Sequence, residues 1–207
     1  MTYPVQCFII IMYLRKTNKK DEVIKMGERT QMLIRLHDHT GEVKFSTILH
    51  YQWGFGRVMP MDALNLIIQM PSSYRLNLKH GVLGRGCEKA WFDWFGAKSH
   101  GSNYWDDKQY KQFAYHATEE DLWGSDNDDG FMIMDWYANY ENDNDFERVT
   151  LAFYNYDRNF DNRLMTFNQY CKATDDNRYT DGDFRRGFKC MLRTYGIELI
   201  EPNKEKE

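Results

Sequence analysis

The sequence predicts an α+β domain built from antiparallel β hairpins, a helical middle region and a C-terminal amphipathic helix. Three observations predict it. Short apolar runs rich in Ile, Val, Phe and Tyr occur in pairs separated by turn residues, which is the pattern of hairpins. An aromatic stretch follows in the middle third. Near the end, Phe184, Phe188, Met191, Leu192 and Tyr195 recur at helical spacing before Gly196.

The first apolar run, Cys7–Leu14, is closed by Arg15-Lys16 and has neither a preceding cation nor a small-residue cleavage site. It predicts a buried strand over Ile9–Leu14 and no targeting segment, hence a cytoplasmic protein. Gln31–Leu36 and Val43–Leu49 flank His37-Asp38-His39-Thr40-Gly41, and predict a hairpin whose turn needs Gly41 at positive φ. That assignment leaves His37 and His39 at an exposed turn. Pro60-Met61-Asp62 opens a helix with Leu64, Ile67 and Ile68 on one face, stopped by Pro71. A second helix over Cys87–Phe95 ends at Gly96, and another piece covers Asp106–Tyr115. Thr118-Glu119-Glu120-Asp121 carries a cap followed by first-turn acids. Phe131–Tyr140 and Glu147–Tyr156 predict a second hairpin, with a third strand over Arg163–Phe167. Residues 1–200 read as one domain, with 60–122 as its helical insertion, and 201–207 as a charged tail.

Composition excludes several classes. With 207 residues, 42% of them hydrophobic and 14 glycines against 4 prolines, the chain is neither collagen-like nor disordered. No run approaches the ~20 apolar residues of a membrane span. Cys7, Cys87, Cys171 and Cys190 form no C-x-x-C pair, and predict reduced, buried thiols. Ala is scarce while Asn, Asp, Tyr and Met are plentiful, a usage that resembles AT-rich bacterial or viral genes.

The net charge of −4 is unevenly distributed. Residues 1–111 sum to +6 and residues 148–207 to +1, while residues 112–147 hold 11 acids and no Lys or Arg. Like charges this dense repel one another over a screening length of ~8 Å, so a cationic counterpart stabilises them. Aromatic residues are interleaved with the acids and supply anchors for an interface. The leading expectation is therefore a non-enzymatic binding or inhibitory protein of the viral or mobile-element counter-defence kind. Trp123, Asp126, Asp128, Asp129, Tyr140, Glu141, Asp143 and Asp145 would meet a basic, nucleic-acid-handling partner protein.

Two alternatives come from other residues. Arg185, Arg186, Lys189 and Arg193 form a basic stripe opposite the apolar face of the last helix, suited to the phosphates of nucleic acid. Arg85 and Lys89, with Trp91 and Trp94 for stacking, would extend that surface. The other alternative is a metal-dependent hydrolase built from clustered Asp and His. The motif support for it is thin. Asp157–Asn168 resembles a calcium loop at its first positions, but carries Asn162 where glycine is required and Asn168 where the bidentate glutamate belongs. Gly81–Gly86 matches no phosphate-loop pattern. Asp135, inside an apolar strand, would have a raised pKa if buried and could then serve as an acid or base. The sequence thus predicts no catalytic residue, no metal ligand set and no cofactor.

Overall fold

Thr30–His37 forms β1 and Val43–Tyr51 forms β2 in the computed structural model, which describes residues 29–51, 58–79, 85–103, 116–123, 130–138, 148–155, 162–173 and 182–203. The predicted strand at Ile9–Leu14, the helical piece at Asp106–Tyr115 and the 204–207 part of the tail lie outside those residues. The first hairpin pairs antiparallel from Thr30↔Tyr51 to His37↔Val43, with one irregularity at Leu36/His37. Gly41 has φ 84°, the left-handed conformation the turn demands and glycine adopts at no steric cost.

Asp38 organises that turn. Its Oδ1 accepts from the Thr40 amide (2.8 Å), the Thr40 hydroxyl (2.5 Å) and the Glu42 amide (3.1 Å), and Lys44 Nζ lies 3.3 Å from Oδ2. Burial alone raises the Asp38 carboxyl, but these donors outweigh it and hold the group down at about 2. The lowered value means that ionised Asp38 stabilises the fold above the ordinary carboxylate range, and that this stability is lost as pH falls toward 2. Asp38→Ala should cost about 1–3 kcal/mol at neutral pH and much less near pH 2, as read from urea unfolding at both.

Val58–Gln69 forms α1, with Pro60 in its first turn as expected. Pro71 ends α1, yet a further helix, α2 (Ser72–Lys79), starts immediately after it. A proline ahead of a helix gives up no needed N–H, and its carbonyl accepts from the Tyr74 and Arg75 amides. Arg85–Lys98 forms α3, which runs through Gly96 instead of ending there. Buried Trp91, Phe92 and Phe95 hold this helix on the core, and that packing offsets the ~1 kcal/mol helix penalty of one glycine. Ser102–Asn103 forms β3 and Glu119–Trp123 forms α4.

The second hairpin is β4 (Phe131–Tyr137) with β5 (Arg148–Tyr154); β4 starts where predicted, and both strands end earlier than predicted. Only Leu164–Met165 of the expected third strand is extended, as β6. Phe167–Ala173 is instead a helix, α5, opened by Thr166 and Gln169, which bond each other's backbone amides at 2.8 and 3.1 Å. Gly182–Thr194 forms α6 and buries Phe184, Phe188 and Leu192 as the spacing predicted; Gly196 follows at φ 66°. Ile197–Ile200 adds β7.

The strands join in one mixed sheet ordered β3-β2-β1-β4-β5, with β6 and β7 both along the far side of β5. The two hairpins meet through a parallel pair, β1 with β4, and β7 is parallel to β5. One face carries Met32, Ile34, Leu36, Phe45, Met132, Met134, Trp136, Leu151 and Phe153, all almost fully buried. Helices cover this face. Trp91 of α3 packs edge-on against Phe45, Phe167 and Tyr170 of α5 pack on Phe153, and Phe188 of α6 stacks on Phe167. Among the described residues no helix is long and apolar enough to cross a membrane.

Candidate functional site

The opposite face of the sheet has a polar centre. Side chains alternate along a strand, so Arg35 and His37 of β1 share this face with their register partners Asp135 and Tyr137 of β4. Arg35 grips Asp135 with a two-pronged pair, Nε to Oδ1 at 2.5 Å and Nη2 to Oδ2 at 2.7 Å. Its Nη1 reaches Glu119 of α4 at 2.5 Å, which docks that short helix on the sheet. His37 Nε2 sits 2.8 Å from Asp135 Oδ1, and its Nδ1 sits 3.0 Å from the carbonyl of Gly41. Both contacts are hydrogen bonds only if both ring nitrogens carry a proton, since a carbonyl and a carboxylate only accept. Tyr137 stacks on His37 with ring centres 4.2 Å apart, and Arg148 covers the outer side of Tyr137 while pairing with Glu198 at 2.9 Å.

These contacts overturn two expectations. His37 is not at an exposed turn but is the buried last residue of β1, where strand alternation puts it on the face of Asp135. Asp135 is buried, as that reading required, but its pKa is not raised. Burial pushes the carboxyl up, and hydrogen bonds and charge from His37 and Arg35 push it further down, so it stays below the usual carboxylate range. Burial likewise lowers the Arg35 guanidinium, and Asp135 and Glu119 more than reverse this. Each Asp135 oxygen accepts from at least one donor, and each His37 nitrogen faces an acceptor. The cluster is thus a clamp joining β1, β4 and α4.

A second polar centre, which sequence reasoning missed, lies at the end of α3. Asp62 of α1 is 1% exposed and accepts from the His100 amide at 2.5 Å and from His100 Nδ1 at 2.6 Å. Burial, followed by the charge of Asp62, drives the neighbouring Tyr51 hydroxyl well above its usual pKa. The apolar spacing of α1 gave no sign that Asp62 points inward. Cys171 is buried and its thiol is pushed up to about 11 by that burial, whereas Cys190 is exposed against expectation, on the outer side of α6. Among the described residues no three His, Cys, Asp or Glu side chains converge as metal ligands.

Of the predicted docking residues, Asp126, Asp128, Asp129, Tyr140, Glu141, Asp143 and Asp145 lie outside the described residues, and Trp123 is placed only as the last residue of α4. Three of the four described acids of the window have structural roles, and the fourth, Glu120, is exposed on α4. Glu119 and Asp135 are held by Arg35, and Asp121 caps α4 through Thr118, whose amide and hydroxyl both lie 2.8 Å from Asp121 Oδ2. The strand β4 separates the segments 124–129 and 139–147. Their anchors at Gly130 and Ala138 are roughly 26 Å apart, at ~3.3 Å per residue.

The basic stripe of α6 is present but splits. Arg185, Arg186 and Lys189 line one cleft, with Asn168 and Gly182, whereas Arg193 lies outside it and its Nε donates to the Lys189 carbonyl at 3.2 Å. The proposed stacking surface on α3 does not form as expected. Trp91 is 1% exposed and in the core, Trp94 packs against Tyr74 and Phe95, and Lys89 pairs with Asp93. Of the calcium-loop resemblance, Asp157, Asn159 and Asp161 lie outside the described residues, while Leu164 and Asn168 belong to β6 and α5. No protein-family model matches this chain, and neither a curated protein nor a solved structure matches it.

Proposed function

We propose that this protein is a non-enzymatic binding protein that docks on a basic, nucleic-acid-handling partner through its acidic, aromatic segment. The observation that carries the reading is the window 112–147, with 11 acids and no Lys or Arg. The clamp and the cap account for Glu119, Asp121 and Asp135. Docking then falls to Asp126, Asp128 and Asp129 on one side of β4 and to Glu141, Asp143 and Asp145 on the other, with Trp123 and Tyr140 as anchors. Two acidic groups whose anchors are ~26 Å apart suit an elongated basic groove better than a compact pocket. Complementary charge would supply rapid, oriented association, and an inhibitor would compete there with the phosphates the groove normally holds. Composition favours a viral or mobile-element origin for such an inhibitor.

Salt and competition test this reading. The protein is immobilised, exposed to lysate of its host, and washed with 50 to 500 mM NaCl or with duplex DNA. A nucleic-acid-binding protein should be retained at low salt and released both by rising salt and by DNA. Retention of nothing, or only of proteins indifferent to both washes, would contradict the proposal.

A further inference from the structure

The first half of α6 and the start of α5 line an open cleft of about 270 Å³. It is lined by Asn168 of α5 and by Gly182, Arg185, Arg186 and Lys189 of α6. These residues bring three cations and no acid to one small concavity. We infer that this cleft binds a phosphate group. Three arguments lead there.

The first is size, since pockets for drug-sized organic ligands run to roughly 300–1,000 Å³ and this one falls short of that range. A small, highly charged ligand suits it better. The second is the donor set. Two guanidinium groups and an ammonium line the cleft, and together they offer more N–H donors than the two oxygens of a carboxylate can accept, a set well matched to phosphate. Asn168 adds an amide that can bond to a phosphate hydroxyl or oxygen.

The third is competition from the protein's own acids. Arg186 pairs with Asp183 three residues earlier on α6, but both side chains are more than half exposed. Lys189 lies 3.9 Å from Glu201, a loose contact, and that carboxylate is already bonded to the Phe167 amide at 3.0 Å. Exposed pairs of this kind contribute little, so a dianion that meets all three cations at once can displace them.

Titration calorimetry at fixed ionic strength tests the inference, with inorganic phosphate in one arm and a 12-nucleotide single-stranded DNA in the other. The proteins are the native chain, Arg185→Gln/Lys189→Gln, and Arg193→Gln, which removes a cation of the same helix outside the cleft. Saturable binding of either ligand is expected, weakened at least tenfold in the double variant and unchanged in Arg193→Gln. Binding in the first arm identifies a free phosphate or phosphomonoester, and binding in the second alone identifies a nucleic-acid backbone. No saturable heat in either arm, or equal weakening by Arg193→Gln and the double variant, would overturn the inference. Urea unfolding of each variant shows that the comparison is between folded proteins. The cleft shares no residue with the acidic segment, so this result and that of the docking test are distinguishable.

Discussion

Arg35→Met should lower the free energy of unfolding by about 3–5 kcal/mol, the range expected when one partner of a buried ion pair is removed. The substitution keeps most of the side-chain volume, so packing contributes little. What it removes is the counter-charge for Asp135, whose side chain is 11% exposed, and the tie from β1 to Glu119 of α4. His37 remains near Asp135 but can satisfy only one of its oxygens. For a domain of ordinary stability, 5–15 kcal/mol, the loss is a large fraction of the total. Urea unfolding followed by tryptophan fluorescence measures it. A companion variant, Arg35→Met with Asp135→Leu, should recover much of the loss, because it removes the buried carboxylate that Arg35→Met alone leaves without its main partner. The pH dependence has a definite sign. The folded-state pKa of Asp135 is lowered, so its contribution is complete above the unfolded value of ~3.9 and disappears as pH falls through the folded value. Asp135→Asn should therefore flatten the acid limb of the stability profile.

Gly130→Ala is expected to cost about 3 kcal/mol or more, which is large for the addition of one methyl group. Gly130 has φ 98°, where residues with a Cβ are strained by about 1–3 kcal/mol. A Cβ there would also lie 2.5 Å from the Tyr154 carbonyl oxygen, which is backbone and cannot rotate away. The Gly130 carbonyl meanwhile accepts from the buried Thr30 hydroxyl at 2.7 Å, so a shift of the chain would break the junction of β1 with β4. A thermal melt provides the check: loss of several degrees is expected, and an unchanged midpoint would mean that the chain before β4 relaxes freely.

Local features of this fold were legible in the sequence, and long-range ones were not. Both hairpins, the start of α1, the cap on α4 and the buried face of α6 follow from period, turn residues and caps within a few positions of one another. The parallel pairing of β1 with β4 joins residues 100 positions apart, such as Arg35 and Asp135, and periodicity carries no information at that distance. Opposite charges in the middle of two apolar strands were a usable sign, since a buried charge needs a partner. The raised pKa expected for Asp135 took burial into account without that partner. Helix α5 was missed because Leu164 to Phe167 reads as a strand, although Thr166-Phe167-Asn168-Gln169 fits a capping box. The acidic window looked uniform in sequence, yet the fold divides it. Glu119, Asp121 and Asp135 hold the architecture, Glu120 is exposed on α4, and the remainder flank β4 in the sequence.

That division is the central claim, and a six-site variant tests it most directly. Asp126, Asp128 and Asp129 become Asn, as do Asp143 and Asp145, while Glu141 becomes Gln. Urea unfolding and salt-dependent retention of the partner are then measured on the same preparation. The account predicts an unfolding midpoint that is unchanged or slightly higher, since mutual repulsion is relieved, together with loss of the partner at salt concentrations where the native chain holds it. A variant that keeps its partner, or one that loses cooperative unfolding, would contradict it.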